Sequence, residues 1–184
     1  MKPVRVATEA DAKAVAAIYA PYVAQTAISF EEGPPSQSEM AERIAATLKT
    51  HPFLVHDNGQ GVAGYAYAGP HAGRPAYRWS CNVTVYVASG RTHQGIGRAL
   101  YAELLDILKA QDFHSVFAGI ALPNAASVGL HEAMGFVHLG TYREVGFKNG
   151  CWHDVGWWRL GLAEGPPAAE PILFALDMVG GLEP

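Results

Sequence analysis

The run Thr92-His93-Gln94-Gly95-Ile96-Gly97-Arg98 sets two glycines two apart, where the β-branched stretch Val83-Thr84-Val85-Tyr86-Val87 gives way to an amphipathic one. A helix N-terminus has unpaired amide N–H groups and partial positive charge, and glycines let another molecule reach that backbone. The junction therefore has the makings of an anion site, usually for phosphate. The spacing is neither Gly-x-Gly-x-x-Gly nor a Walker loop ending in Gly-Lys-Ser/Thr, which speaks against those two nucleotide sites. By themselves, two such glycines also describe a tight turn. Further along, Asn124 and Ser127 stand ahead of His131. Asn before a helix caps its first amides, and a histidine can give or take a proton near neutral pH. Metal chemistry is not indicated: no two of the eight histidines form a His-x-His or His-x-x-x-His pair, and Cys81 and Cys151 have no ligand spacing.

These residues need a scaffold, and the hydrophobic patterning describes one. Residues 4–7 alternate as a short strand, Thr8 to Asp11 resemble a capping arrangement opening a helix to about Val23, and Ser36 with Glu39 opens a second helix to about Leu48. Asn58-Gly59 between two apolar runs signals a hairpin, and a strand over 79–87 enters the opening junction. Ile96, Leu100, Leu104, Ile107 and Leu108 recur at helical spacing over 95–111. A strand over 115–121, a helix over 124–134 closed by Gly135, and strands over 136–142 and 155–162 follow. The expectation is a mixed α/β domain with a seven-stranded, largely antiparallel sheet and about four helices over 1–162. A Pro/Gly/Ala-rich tail without a sharp motif, 163–184, comes after it, of which Ile172 to Met178 could pack on the body.

With 184 residues and 49% hydrophobic content the chain can bury one sizeable core. Thirteen Lys plus Arg against seventeen Asp plus Glu give a net charge of -4 with no basic cluster, so no nucleic-acid partner is expected. The longest apolar runs fall short of the roughly 20 residues of a membrane span. Without a signal-peptide pattern, and with two cysteines read as free thiols, the expected compartment is the cytoplasm, with no membrane partner.

The order β, α, α, β, β, β, loop, α, β, α, β, β resembles that of the GNAT N-acetyltransferases. Thr92 to Gly97 is similar to their Gln/Arg-x-x-Gly-x-Gly/Ala pyrophosphate loop, and Leu122-Pro123-Asn124-Ala125-Ala126-Ser127 with His131 to Phe136 resembles their second cofactor motif. Ala66-Tyr67-Ala68-Gly69-Pro70, Thr84 to Val87 and Gly146 to Gly156, which contains Trp152-His153-Asp154-Val155-Gly156, are similar to the phosphinothricin and methionine sulfoximine/sulfone acetyltransferase branch, from about residue 4 to 162.

The resemblance implies a sheet splayed at the cofactor site and acetyl-CoA as co-substrate, without a metal. The acetyl group would pass by direct attack to the amino group of a small amino-acid-like molecule, with a homodimer as the assembly. It implies that the backbone of Val85, Tyr86 and Val87 receives the acetyl carbonyl and pantetheine. His93, Gln94, Gly95, Ile96, Gly97 and Arg98 would hold pyrophosphate, Asn124 and Ser127 would meet pantetheine or the adenosine side, and His131 would assist the thiolate. Phe30, Arg74, Tyr77, Asn82, Val83 and Thr84 would form the acceptor side, with Trp79 a further wall.

Two departures stand out. Thr92 replaces the usual Gln or Arg of the loop, with Arg91 adjacent. Asn82 stands where the family usually has a glutamate that takes a proton from the substrate ammonium, and an amide cannot be a general base. Glu31, Glu32, His71, His153 or bulk water would have to serve instead. Rival readings are an acetyltransferase for another amine, such as a polyamine, an aminoglycoside or a protein N-terminus, and a non-catalytic acyl-CoA sensor.

Overall fold

The computed structural model describes residues 3–167 and 169–178. Seven strands form one sheet in the order β1-β2-β3-β4-β5-β7-β6: β1 Val4–Val6, β2 Phe53–Asp57, β3 Val62–Pro70, β4 Ser80–Val87, β5 Ser115–Leu122, β6 Val137–Lys148 and β7 Cys151–Gly161. All neighbours pair antiparallel except β4 and β5, which run parallel. Four α-helices complete the fold: α1 Ala12–Gln25, α2 Gln37–Thr47, α3 Ile96–Ala110 and α4 Ala125–Ala133. The mixed, largely antiparallel sheet with four helices is the expected one.

Alternation along the strands sends side chains to two separate cores. Val83 of β4, Val116 and Ala118 of β5 and Leu54 of β2 meet the apolar stripe of α3, including Leu100, Leu104 and Leu108. Phe53, Val55 and Tyr65 meet Val15, Tyr19 and Val23 of α1 and Met40 and Ile44 of α2 on the opposite face. The amphipathic stripe of α3 thus decides which β4 residues face which helix, and leaves Asn82, Thr84 and Tyr86 on the α1/α2 face.

Two boundaries differ from the sequence expectation. A 3-10 turn, Glu9–Asp11, precedes α1, and Asp11 accepts from the Thr8 amide at 2.8 Å and from Arg5 at 2.8 and 2.7 Å. Strands β6 and β7 form one long hairpin, reaching Lys148 and Cys151 where the expectation left 143–154 without structure. Its turn is Asn149-Gly150, with φ of 52° and 79°, the same dipeptide signal read at Asn58-Gly59. A register shift between Tyr142 and Gly146, with Glu144 at φ 49°, breaks the alternation that would have betrayed the strand. The segment Ile172 to Met178 packs on the body, as the sequence allowed: Phe174 is buried among core residues and its amide donates to Thr50 O, while Ile172 exchanges main-chain and side-chain bonds with Gln111.

Candidate active site

Strands β4 and β5 pair only through Ser80↔Ser115, Cys81↔Val116 and Asn82↔Phe117. Past that vertex they part. β4 stays paired to β3 as far as Val87↔Gly64, and β5 stays paired to β7 as far as Leu122↔Asp154. The inner edges of both strands therefore carry main-chain groups without a strand partner, facing a cleft of about 760 Å³. That size suits a ligand of cofactor dimensions.

The cleft is lined by Val83, Thr84, Val85, Tyr86 and Val87 on one side and by Ala118 to Ala121 on the other. The side chain of Tyr86 packs away from it, against Tyr19 and Tyr22 at 4.9 Å, and burial pushes its phenol far up. What β4 offers the cleft at that point is backbone.

At the far end stand the α3 junction and α4. Gly95 is the N-cap of α3 at φ 78°, a left-handed conformation that favours glycine, and no side chain caps the helix. His93, Gly95, Ile96, Gly97 and Arg98 line the cleft, as do Arg91 and Thr92, whereas Gln94 is turned aside with a long 3.4 Å contact from its amide to Gly90 O. A Cβ on Gly97 would lie 3.0 Å from Leu130 Cδ2 and 3.8 Å from Val85 Cγ2, so this glycine lets α3, α4 and β4 converge. Arg91 Nε is buried without a partner among the described residues. An unpaired guanidinium N–H beside an uncapped helix start is the donor set an anion requires.

Asn124 and Ser127 also line the cleft, and Asn124 Oδ1 accepts from the Ser127 amide at 3.2 Å, so Asn124 does cap α4. His131 is 3% exposed. Its Nδ1 is 2.7 Å from Ser127 O, and since a carbonyl only accepts, Nδ1 carries the proton. Nε2 then accepts from the Tyr101 hydroxyl at 2.9 Å. Burial lowers the His131 pKa, with the Ser127 carbonyl opposing in part, and burial drives the Tyr101 phenol far up. The pair is neutral, and both imidazole nitrogens are engaged. Tyr101, which the sequence reading put only in the helix, lines the cleft with His131.

The remaining acceptor-side residues lie outside the cleft lining, on the α1/α2 face. Asn82 Oδ1 is 2.9 Å from His71 Nδ1, and His71 stacks on Phe117 at 4.3 Å, with Tyr77 at 5.8 Å and Trp157 at 6.2 Å. Phe30 fills the space over Gly146, where a Cβ would overlap the ring, and stands 6.2 Å from His153. Arg74 is exposed on the loop between β3 and β4. Trp79 is drawn elsewhere: its Nε1 donates to Ala169 O at 2.8 Å and its neighbour Arg78 pairs with Glu170. It is covered by the C-terminal segment, not offered to an acceptor.

Sequence reasoning missed two anchors here. Lys148 Nζ, at the tip of the β6/β7 hairpin, donates to Val23 O at 2.6 Å, Ser29 O at 2.6 Å and Glu31 O at 2.8 Å, pinning the segment after α1 across the acceptor side. Trp157 Nε1 is buried with no partner among the described residues. Neither side chain carries a local pattern, and only the long hairpin brings them in.

Comparison with known proteins agrees with this geometry. Residues 4–157 match the family described as an acetyltransferase (GNAT) domain. A phosphinothricin N-acetyltransferase of Streptomyces viridochromogenes is 42% identical over 169 residues, covering 92% of each chain. An L-methionine sulfoximine/L-methionine sulfone acetyltransferase of Salmonella typhimurium is 32% identical, over 88% of this chain and 95% of that one. The crystal structure of a GNAT phosphinothricin acetyltransferase from Sinorhizobium meliloti in complex with acetyl-CoA superposes with a TM-score of 0.85 at 33% identity, covering 94% of this chain and 95% of that chain. The uncapped α3 start, the unpaired Arg91 Nε and the freed edge of β4 are the donors a pyrophosphate and a pantetheine arm need, so the residues present fit acetyl-CoA. The chain belongs to the GNAT family and is an acetyl-CoA-dependent N-acetyltransferase.

Proposed function

We propose that this N-acetyltransferase acts on the α-amino group of a small amino-acid-like molecule of the phosphinothricin, methionine sulfoximine or methionine sulfone type. The observation that carries the reading is the 42% identity, over 92% of both chains, with an enzyme named for phosphinothricin. Arg74, on the loop that also holds Tyr77, would bind a carboxylate, sulfonyl or phosphinyl oxygen. Phe30, Tyr77, Val83 and Thr84 would wall the acceptor, with Asn82 at its floor.

When bound, acetyl-CoA supplies an acetyl group activated as a thioester. The first amides of α3, with His93, Gln94, Gly95, Ile96, Gly97 and Arg98, would hold the pyrophosphate. The main chain of Val85, Tyr86 and Val87 would hold the pantetheine arm and the acetyl carbonyl, and Asn124 and Ser127 would meet the arm from α4. Donors fixed by the β3 pairing need no reorganisation as negative charge develops on the carbonyl oxygen. Direct attack by the amine fits the thiols present: Cys81 is buried with its pKa pushed up to about 12, and Cys151 sits at the hairpin tip. His131, engaged at both nitrogens, would serve the departing sulfur by position, through the Tyr101 hydroxyl.

The working form in this reading is a cytoplasmic homodimer. On the edge strand β6 the side chains of Val137, Leu139, Tyr142, Val145 and Phe147 are each at least half exposed; a second copy would cover them. No helix among the described residues is long and apolar enough to cross a membrane.

A thiol-release assay with acetyl-CoA and a panel of phosphinothricin, methionine sulfoximine, methionine sulfone, plain amino acids and polyamines tests the acceptor. Turnover confined to the first three is expected. Equal or faster turnover of polyamines would sink the acceptor assignment.

A further inference from the structure

An ammonium group must lose a proton before its nitrogen can attack a thioester, because only the neutral amine has a lone pair. Asn82, at the vertex where β4 and β5 part, cannot accept that proton. The four side chains suited to replace it stand in different circumstances. Glu31 is held by both guanidinium nitrogens of Arg43, at 2.8 and 3.0 Å, and by the Tyr19 hydroxyl at 2.9 Å. His153 Nε2 lies 3.0 Å from Lys148 O and 3.4 Å from Cys151 Sγ, at the hairpin tip. Glu32 is an exposed side chain of the segment after α1. His71 alone is bonded to the vertex, through Asn82, and stacked on Phe117, the residue paired with Asn82 across it.

We infer that His71 is the general base of the acetyl transfer and that Asn82 is its positioning residue. The amide oxygen of Asn82 can only accept, so His71 Nδ1 carries a proton and Nε2 carries the lone pair. Nε2 has no hydrogen-bond partner among the described residues, and it is not one of their buried unpartnered atoms, so it remains reachable. The cleft begins one residue further along each strand, at Val83 and Ala118. The imidazole, held on Asn82 and Phe117, therefore stands next to the point where the cleft opens.

In the step itself an N–H bond of the ammonium breaks, its electron pair stays on nitrogen, and the proton goes to Nε2 directly or through one water. The freed pair then attacks the thioester carbonyl carbon as the C=O π electrons move onto oxygen. When C=O re-forms, the C–S bond breaks with its electrons on sulfur, and a second N–H proton of the attacking nitrogen passes to that thiolate, leaving a neutral amide and a free thiol. The stack on Phe117 and the Asn82 bond hold the ring against rotation. Trp157 stands edge-on beside it and closes the far side of the ring. The groups packed on His71 are Asn82 from β4, Phe117 from β5, Trp157 from β7 and Tyr77 from the 3-10 turn Pro75–Tyr77.

The inference rests on the acceptor reading above for its substrate, so two readouts separate them. The first needs no turnover. Long-range proton–nitrogen NMR correlations of the neutral His71 ring should show Nδ1–H in the native enzyme; an Nε2–H tautomer overturns the inference. The second is kinetic, with methionine sulfoximine as acceptor. His71→Gln should lose about 100-fold to 1,000-fold in kcat with acetyl-CoA binding unchanged. Free imidazole should restore part of the activity of His71→Gly, and His71→Gln combined with Asn82→Glu should recover more than His71→Gln alone. Asn82→Leu should fall about tenfold and lose the Nδ1–H tautomer. A His71→Gln enzyme within about threefold of wild type overturns the role. Failure of the parent enzyme to acetylate methionine sulfoximine or phosphinothricin counts against the acceptor reading, and the tautomer still decides the role of His71.

Discussion

The two sides of the β4/β5 vertex are built from different materials. On the cofactor side the parts are backbone and small side chains: the freed β4 edge, the left-handed Gly95, the close-packed Gly97 and the capped start of α4. On the acceptor side they are large side chains delivered from distant points of the chain: His71 onto Asn82 and Phe117, Phe30 onto Gly146, and Lys148 onto carbonyls more than a hundred residues earlier. A ligand shared by a whole family can be held by main-chain geometry, which survives exchange of side chains. An acceptor that differs between members has to be read by side chains, and here these include the bonded pair of His71 and Asn82.

If that contrast holds, lesions on each side should separate binding of the two substrates. The largest effect is expected at Gly97. In Gly97→Val the new Cβ meets Leu130 at 3.0 Å and its methyls enter the cleft, so acetyl-CoA affinity measured by calorimetry should fall about 100-fold, roughly 3 kcal/mol. Lys148→Met is the matching lesion across the vertex. It leaves three carbonyls without their donor and should lower the unfolding free energy by about 3 kcal/mol in urea melts. The acceptor KM should rise with it, while acetyl-CoA affinity stays within about twofold; equal damage to both would erase the contrast.

Tyr101→Phe probes the buried pair on the cofactor side. His131 Nε2 would lose its donor, at a cost of about 1–2 kcal/mol, and kcat should drop about tenfold with the acceptor KM unchanged. The smallest effect concerns pH. Burial lowers the pKa of both His51 and His131, so below the ordinary imidazole value of about 6.5 the unfolded chain binds more protons than the native one. Stability contributed by these two neutral rings is complete above that pH and is lost as pH falls toward their lowered native values. Tm should therefore decline by a few degrees, about 2–8 °C, between pH 7.5 and 5.5. Glu31, held low by Arg43 despite partial burial, contributes in full above the usual carboxylate range and loses that contribution as pH falls through this range toward its lowered native value. A flat Tm over the histidine window would contradict the burial of these rings.

The cofactor side was legible because its signals are local. The alternation of 83–87, the two glycines, the α3 stripe and the Asn124 cap lie within short windows, where period and turn chemistry act directly. The acceptor side was legible only in fragments. His71 and Asn82 are eleven residues apart, and nothing in the intervening loop announces that β3 and β4 bring them to 2.9 Å. Trp79 reads as a pocket aromatic and is instead claimed by the C-terminal segment. His131 reads as a free proton donor until Tyr101 and Ser127 are seen to occupy both nitrogens.

The sequence by itself determined the order of elements, the apolar stripe of α3 and the glycine-marked junction ahead of it, because each depends on residue type at fixed spacing along one element. The tertiary structure alone decided where β4 leaves β5, which histidine meets the vertex and what Lys148 pins. Those outcomes depend on strand register and on side chains meeting across the sheet, and a one-residue change of register would send every one of them to the other face.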